Sequence, residues 1–171
     1  MTLVGSREAD VEVPDPLEFH IRKGIPEDTL ELSGFWGKYR ARTQLDVLQR
    51  YFSDVERGVQ SVQVAEHGDK LVGQLWTRFT GIDPSIADDR NECYLHTLHV
   101  LEAYRRRGIA RALTTASSEE ARRRGRSILV IGVDRPNETA WGIYESWGFK
   151  RFYEANDLRG DLVFLRRRVF D

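Results

Sequence analysis

"AYRRRGIARAL", Ala103 to Leu113, decides how this chain is read. Three arginines, Arg105 to Arg107, run into Gly108, and a helical pattern begins behind it. The start of a helix leaves backbone N–H groups without partners, and these carry partial positive charge. A phosphate would satisfy several of them at once. Gly108 lets an anion come close to the backbone, and the small Ala110 keeps the first helical turn open. The arginines add charge around it. The stretch is therefore either an anion-binding turn or part of a patch for nucleic acid.

The rest of the chain chooses between the two. Its net charge is −1 over 171 residues, which argues against a general nucleic-acid binder. The second basic run, Arg122 to Arg124 with Arg126, falls at the far end of the same helix, where cations are favoured. The two runs therefore do not share one face, and no nucleic-acid partner is expected. Apolar residues make up 40% and charged residues 31%, as in a soluble domain with an ordinary core. A single cysteine, Cys93, leaves no intramolecular disulfide. No apolar run approaches about 18 residues, and the first residues do not read as a signal peptide. A cytoplasmic protein with no membrane partner is the expectation.

Residues 1–17 read as a loose, acidic tail, and 18–171 as one domain. "FHIRKG" alternates as a strand. "PEDTLELSGFWGKYR" opens like a helix, with proline and two acids first. "QLDVLQRYFSDVERG" is a second helix stopped by Gly58. A hairpin follows around Gly68-Asp69, then a polar connection, then the strand "CYLHTLHV". The Gly108 helix ends at Gly125, "SILVIGV" is a strand buried on both faces, and a last helix ends at Gly148 before two closing strands. This order fits an α/β fold, a mixed sheet of about seven strands with four helices on its faces.

Arg105, Gly108 and Ala110 match the pattern [Q/R]-x-x-G-x-[G/A], placed after a strand that carries Leu98 and Val100. Downstream, "NETAWGIYESWGF" supplies Asn137, Ala140, Tyr144 and Gly148-Phe149. The combination resembles the GNAT superfamily of acetyl-CoA-dependent N-acetyltransferases, from about Phe19 to the end of the chain. Glu102 departs from the family, where many members have proline. The resemblance implies the GNAT fold, with the central strands splayed apart. It also implies acetyl-CoA as cosubstrate and no metal. The amides of Arg106, Arg107, Gly108, Ile109, Ala110 and Arg111, with Arg105 beside them, would hold the pyrophosphate. The main chain from Leu98 through His99 to Val100 would pair with the pantetheine arm, and Asn137 and Tyr144 would line its other side. The implied activity is direct acetyl transfer to a primary amine. The acceptor would be a small molecule (a polyamine, an aminoglycoside-like antibiotic or an amino acid) or a protein amine. A coenzyme-A-binding regulatory module without turnover is the alternative, and a homodimer is common in the family. An acyl-cysteine route through Cys93 is not the family's usual one.

Acetyl transfer moves two protons, one from the amine and one to the departing thiolate. Histidine titrates near neutrality and suits the first task. His96 and His99 are an odd number apart, so a regular strand would point them to opposite faces. His96 shares its parity with Leu98 and Val100. The strand also looks like that of serotonin N-acetyltransferase, where a histidine at this position is the base. His96 is therefore the expected base and His99 the structural histidine. The resemblance makes Tyr144 the expected acid toward sulfur. Phe35, Trp36 and Tyr39, with Asp83, Asp88, Asp89 and Glu92, are either an amine-binding set or, equally, core aromatics and a solvated loop.

Overall fold

The computed structural model describes residues 12–37 and 41–169. In chain order its elements are β1 (His20–Lys23), α1 (Thr29–Ser33), α2 (Ala41–Glu56), β2 (Gln60–His67), β3 (Lys70–Arg78) and β4 (Glu92–Val100). Then come α3 (Ile109–Arg123), β5 (Ile128–Asp134), α4 (Glu138–Ser146), β6 (Lys150–Asp157) and β7 (Gly160–Arg168). The first helix is shorter than its sequence suggests: α1 gives way to a 3-10 turn at Gly34–Trp36, and Gly37 leaves the helical region at φ 74°. Residues 38–40 lie outside the described set, as does the expected tail up to residue 11. The end of that tail is packed. Val13 and Leu17 lie against the core, and the Pro14 carbonyl accepts a hydrogen bond from Arg107 Nη1 at 2.9 Å.

The strands form one sheet in the order β1-β2-β3-β4-β5-β7-β6. Every neighbouring pair is antiparallel except β4 and β5, which are parallel and joined through α3. One face carries α3 and α4 over Cys93, Leu95, Val100, Leu129, Ile131, Val133 and Leu165. On the other, Leu32 of α1 and Leu48 and Phe52 of α2 pack on Val62, Val64 and Trp76. Ile82, Ile86 and Ala87 of the connection before β4 cover Val130 and Phe164 beside them. Gly73 brings α3 close to the sheet: a Cβ there would stand 3.0 Å from Ile109 Cγ2 and 3.2 Å from Leu113 Cδ1.

Two features of β4 create the site. Pairing with β5 runs only from Glu92↔Ile128 to Leu95↔Ile131, so the strands part beyond Leu95. On the other edge, Trp76 faces His96 and Gln74 faces His99, so β4 spends three residues where β3 spends two. That is a β-bulge, and it reverses the alternation of faces. At it Thr97 has φ 56°, an uncommon conformation for a β-branched residue. The expected parity therefore fails. His96 and His99 face the α1/α2 side together, while Leu98 and Val100 face α3 with Leu95.

Candidate active site

The groove lies on the α3/α4 side, where β4 and β5 separate. Its volume is ≈ 600 Å³. Leu98, His99 and Val100 form one wall; Arg105, Arg106, Gly108, Ile109, Ala110 and Arg111 form the mouth. Asn137, Thr139, Ala140, Ile143, Tyr144 and Trp147 form the third side. His99 belongs to the wall through its backbone, since its ring meets Phe35 and Trp36 on the opposite face, at centroid distances of 5.4 and 5.9 Å.

The mouth is shaped by backbone conformation. Arg106 and Gly108 both have positive φ, 59° and 82°. Such alternation turns successive N–H groups to one side. The first paired amide of the helix start is that of Ala112, which reaches the Gly108 carbonyl at 3.0 Å. The amides of Arg106 through Arg111 have no partner among the described residues. They form a ready anion site, and this is the observation that fits a pyrophosphate. The three arginine side chains do not act as one patch. Arg105 Nε donates to the Val100 carbonyl at 3.0 Å, and Arg107 reaches Pro14. Arg105 and Arg106 line the mouth, while the Arg107 side chain is held at Pro14.

Asn137 has a second duty. Its Oδ1 caps α4 by accepting the Ala140 amide at 3.2 Å. Tyr144 is buried one turn further on, edge-on to Trp147 and Phe149. Burial pushes its phenol up to about 12, so the hydroxyl keeps its proton at any working pH.

His96 sits across the sheet, where the strands begin to part. Its Nε2 lies 3.0 Å from Gln60 Oε1 and its Nδ1 3.0 Å from Thr97 Oγ1. Tyr51 meets the ring edge-on at 5.4 Å, and Tyr94 and Trp76 stack beside it. Burial, with the charge of Arg78 adding to it, pushes the imidazole down to about 4. The near-neutral titration expected of it is overturned by that enclosure. Gln60 and Asp54, which complete its surroundings, were not singled out in the sequence. The structure buries Gln60 completely in β2, beside the equally polar Ser61, and nothing in the residue pattern marks it or Asp54 out.

The acidic loop is internal structure. Asp88 accepts from the amides of Arg90 and Asn91, Asp89 from those of Gly81 and Ile82, and Glu92 from that of Asp88. Asp83 holds Ser85 and pairs with Arg159. Phe35 is buried core, and Tyr39 lies outside the described residues. Arg126 is consumed by the carbonyls of Phe79, Asp89 and Arg90. Cys93 faces the core, its thiol pushed up to about 12 by burial, which disfavours a nucleophilic role. Among the described residues no cluster of His, Cys, Asp and Glu could hold a metal ion, and no helix is long and apolar enough to cross a membrane.

The sequence matches the acetyltransferase (GNAT) family over residues 27–149. It is 33% identical over 106 residues to N-acetyltransferase 8 of Homo sapiens, covering 62% of this chain and 44% of that protein. It is 37% identical over 59 residues to N-alpha-acetyltransferase 30 of Schizosaccharomyces pombe, covering 34% of this chain and 39% of that protein. The matches thus span less than half the length of these two relatives. The fold is that of the PaiA N-acetyltransferase of Thermoplasma acidophilum, whose structure holds coenzyme A. The TM-score is 0.71 at 15% identity, over 89% of this chain and 99% of that one. With a splayed mixed sheet, a glycine turn of unpaired amides and a family match over most of its length, this chain belongs to the acetyltransferase (GNAT) family.

Proposed function

We propose that the chain transfers the acetyl group of acetyl-CoA directly to a primary amine of a small molecule or a protein. The observation that carries this is the groove at the splay, with Tyr144 on its wall and, at its mouth, turn amides that have no partner among the described residues. When bound, acetyl-CoA supplies an activated thioester. The amides of Arg106 to Arg111 hold its pyrophosphate. The main chain of Leu98 and Val100 pairs with the pantetheine arm along the edge that β5 leaves open. Tyr144 gives its hydroxyl proton to the sulfur as the C–S bond breaks and regains one from water. His96, directly or through water, takes the proton the amine sheds as its nitrogen bonds to the carbonyl carbon. A base that stays neutral above about pH 4 does not deprotonate a free alkylammonium. The rise of rate with pH therefore reports the acceptor's own ammonium.

The test is release of free thiol from acetyl-CoA against a panel of diamines, amino acids, aminoglycosides and peptides with free N-termini. Steady release with at least one amine is expected. Tight acetyl-CoA binding without release from any amine would replace this reading with the coenzyme-A-binding module.

A further inference from the structure

A chain of hydrogen bonds crosses three elements behind His96. Asp54 of α2 accepts from Arg57 and, at 3.2 Å, from Arg78 Nη1 of β3. Its Oδ2 lies 3.1 Å from Gln60 Nε2 of β2, and Gln60 Oε1 lies 3.0 Å from His96 Nε2. The donor count leaves one arrangement. Burial raises the Asp54 carboxyl, but its hydrogen bonds and ion pairs with Arg57 and Arg78 outweigh that and lower it, so it is ionised and can only accept. Gln60 must then present its NH₂ to Asp54 and its carbonyl to His96. That carbonyl needs a donor, so the His96 proton sits on Nε2. Nδ1 is left with the lone pair and accepts from the hydroxyl of Thr97, the bulge residue just past the last β4–β5 pair.

We propose that Asp54 and Gln60 are positioning residues that fix His96 as the Nε2–H tautomer and keep its Nδ1 lone pair on the Thr97 side, where the strands part. This rests on the reading of His96 as the base, and names the atom through which it acts. Without the chain, a neutral imidazole in this pocket could carry its proton on either nitrogen, and only one form leaves a lone pair at Thr97. The charged and titratable groups facing His96 are Arg78 from β3, Tyr51 and Asp54 from α2, and Tyr94 on β4 itself. Burial raises both phenols, so they stay neutral, and the Arg78 cation opposes a second proton on the ring.

The experiment is long-range ¹H–¹⁵N spectroscopy of the full chain labelled at histidine, between pH 5 and 9. The His96 signals are assigned by their loss in His96→Gln. Wild type is expected to show Nε2 protonated, Nδ1 bare, and no titration across the range. Asp54→Asn frees the Gln60 amide to turn over, so both ring nitrogens should take on mixed character. Gln60→Leu removes the acceptor with little change of volume, so the proton should move to Nδ1 and be donated to Thr97. In both variants kcat should fall while KM for acetyl-CoA stays at the wild-type value. A wild-type Nδ1–H form, a His96 titration inside the range, or an unchanged tautomer in a folded Gln60→Leu protein would overturn the proposal. The spectra need no acceptor amine, so a failure of acetyl transfer and a failure of this chain would be seen separately.

Discussion

The groove face and the histidine face of β4 are built by different means. On the groove face the recognition elements are main chain: the open edge from Leu98 to Val100 and the amides of Arg106 to Arg111, which have no partner among the described residues. On the histidine face they are side chains: Asp54, Gln60, His96 and Thr97 each hold the next. A main-chain site tolerates changes of side chain and fails when the backbone path changes. A side-chain site responds to the loss of any one donor or acceptor, because the buried partner is left unpaired. The faces should therefore break under different substitutions.

The largest effect is expected from the one side-chain hydroxyl assigned chemistry on the groove face. Tyr144→Phe keeps the ring against Trp147 and Phe149 and deletes the proton. Turnover should fall about 10²-fold with acetyl-CoA affinity unchanged, read by steady-state kinetics beside calorimetry. Wild-type turnover would reduce Tyr144 to a wall of the groove.

The next effect belongs to the histidine face and concerns stability. Folded His96 is held well below the ordinary value of about 6.5, so the unfolded chain takes up the proton first. The stability tied to the neutral ring is complete above about pH 6.5 and is lost as pH falls from there toward about 4. Between pH 7.5 and pH 5 the loss should be roughly 2 kcal/mol in urea unfolding. His96→Gln should flatten that part of the curve; an unchanged slope would show that His96 titrates alike in both states.

Gly108→Val tests the backbone path. A Cβ at Gly108 would meet open space, but φ 82° is unfavourable for a β-branched residue. The turn must rearrange, and acetyl-CoA affinity should fall by about tenfold, or 1.4 kcal/mol. Unchanged affinity by calorimetry would move the anion elsewhere. The smallest effect is expected at His99→Gln, which loses ring contacts with Phe35 and Trp36. It should cost on the order of 1 kcal/mol of stability and leave the pH–rate profile in place. A profile changed by His99→Gln alone would place the titrating group at His99 rather than on the acceptor amine.

The groove face was legible because its signals are local. Gly108, Ala110 and the spacing of Ala140, Tyr144 and Trp147 specify a turn and a helix face, and these residues line one groove. The histidine face was not legible in the same way, because one extra residue at Thr97 reverses the alternation and nothing in "YLHTLHV" announces it. His96 was singled out on a parity that the bulge removes and on the likeness of its strand to that of serotonin N-acetyltransferase; the structure adds its place at the splay. Gln60 and Asp54 could not be joined to it from spacing, since they come from β2 and α2. The acidic connection before β4 resembles a cation site in composition, yet its carboxylates are spent on amides of their own loop.

Amide hydrogen exchange with and without saturating acetyl-CoA tests the division between the faces most directly. New protection is expected at Leu98 and Val100 and along Arg106 to Arg111. No change is expected along the β2–β3 hairpin or at Tyr51 and Gln60. Protection centred on the α1/α2 side, or none at the Gly108 turn, would contradict that division.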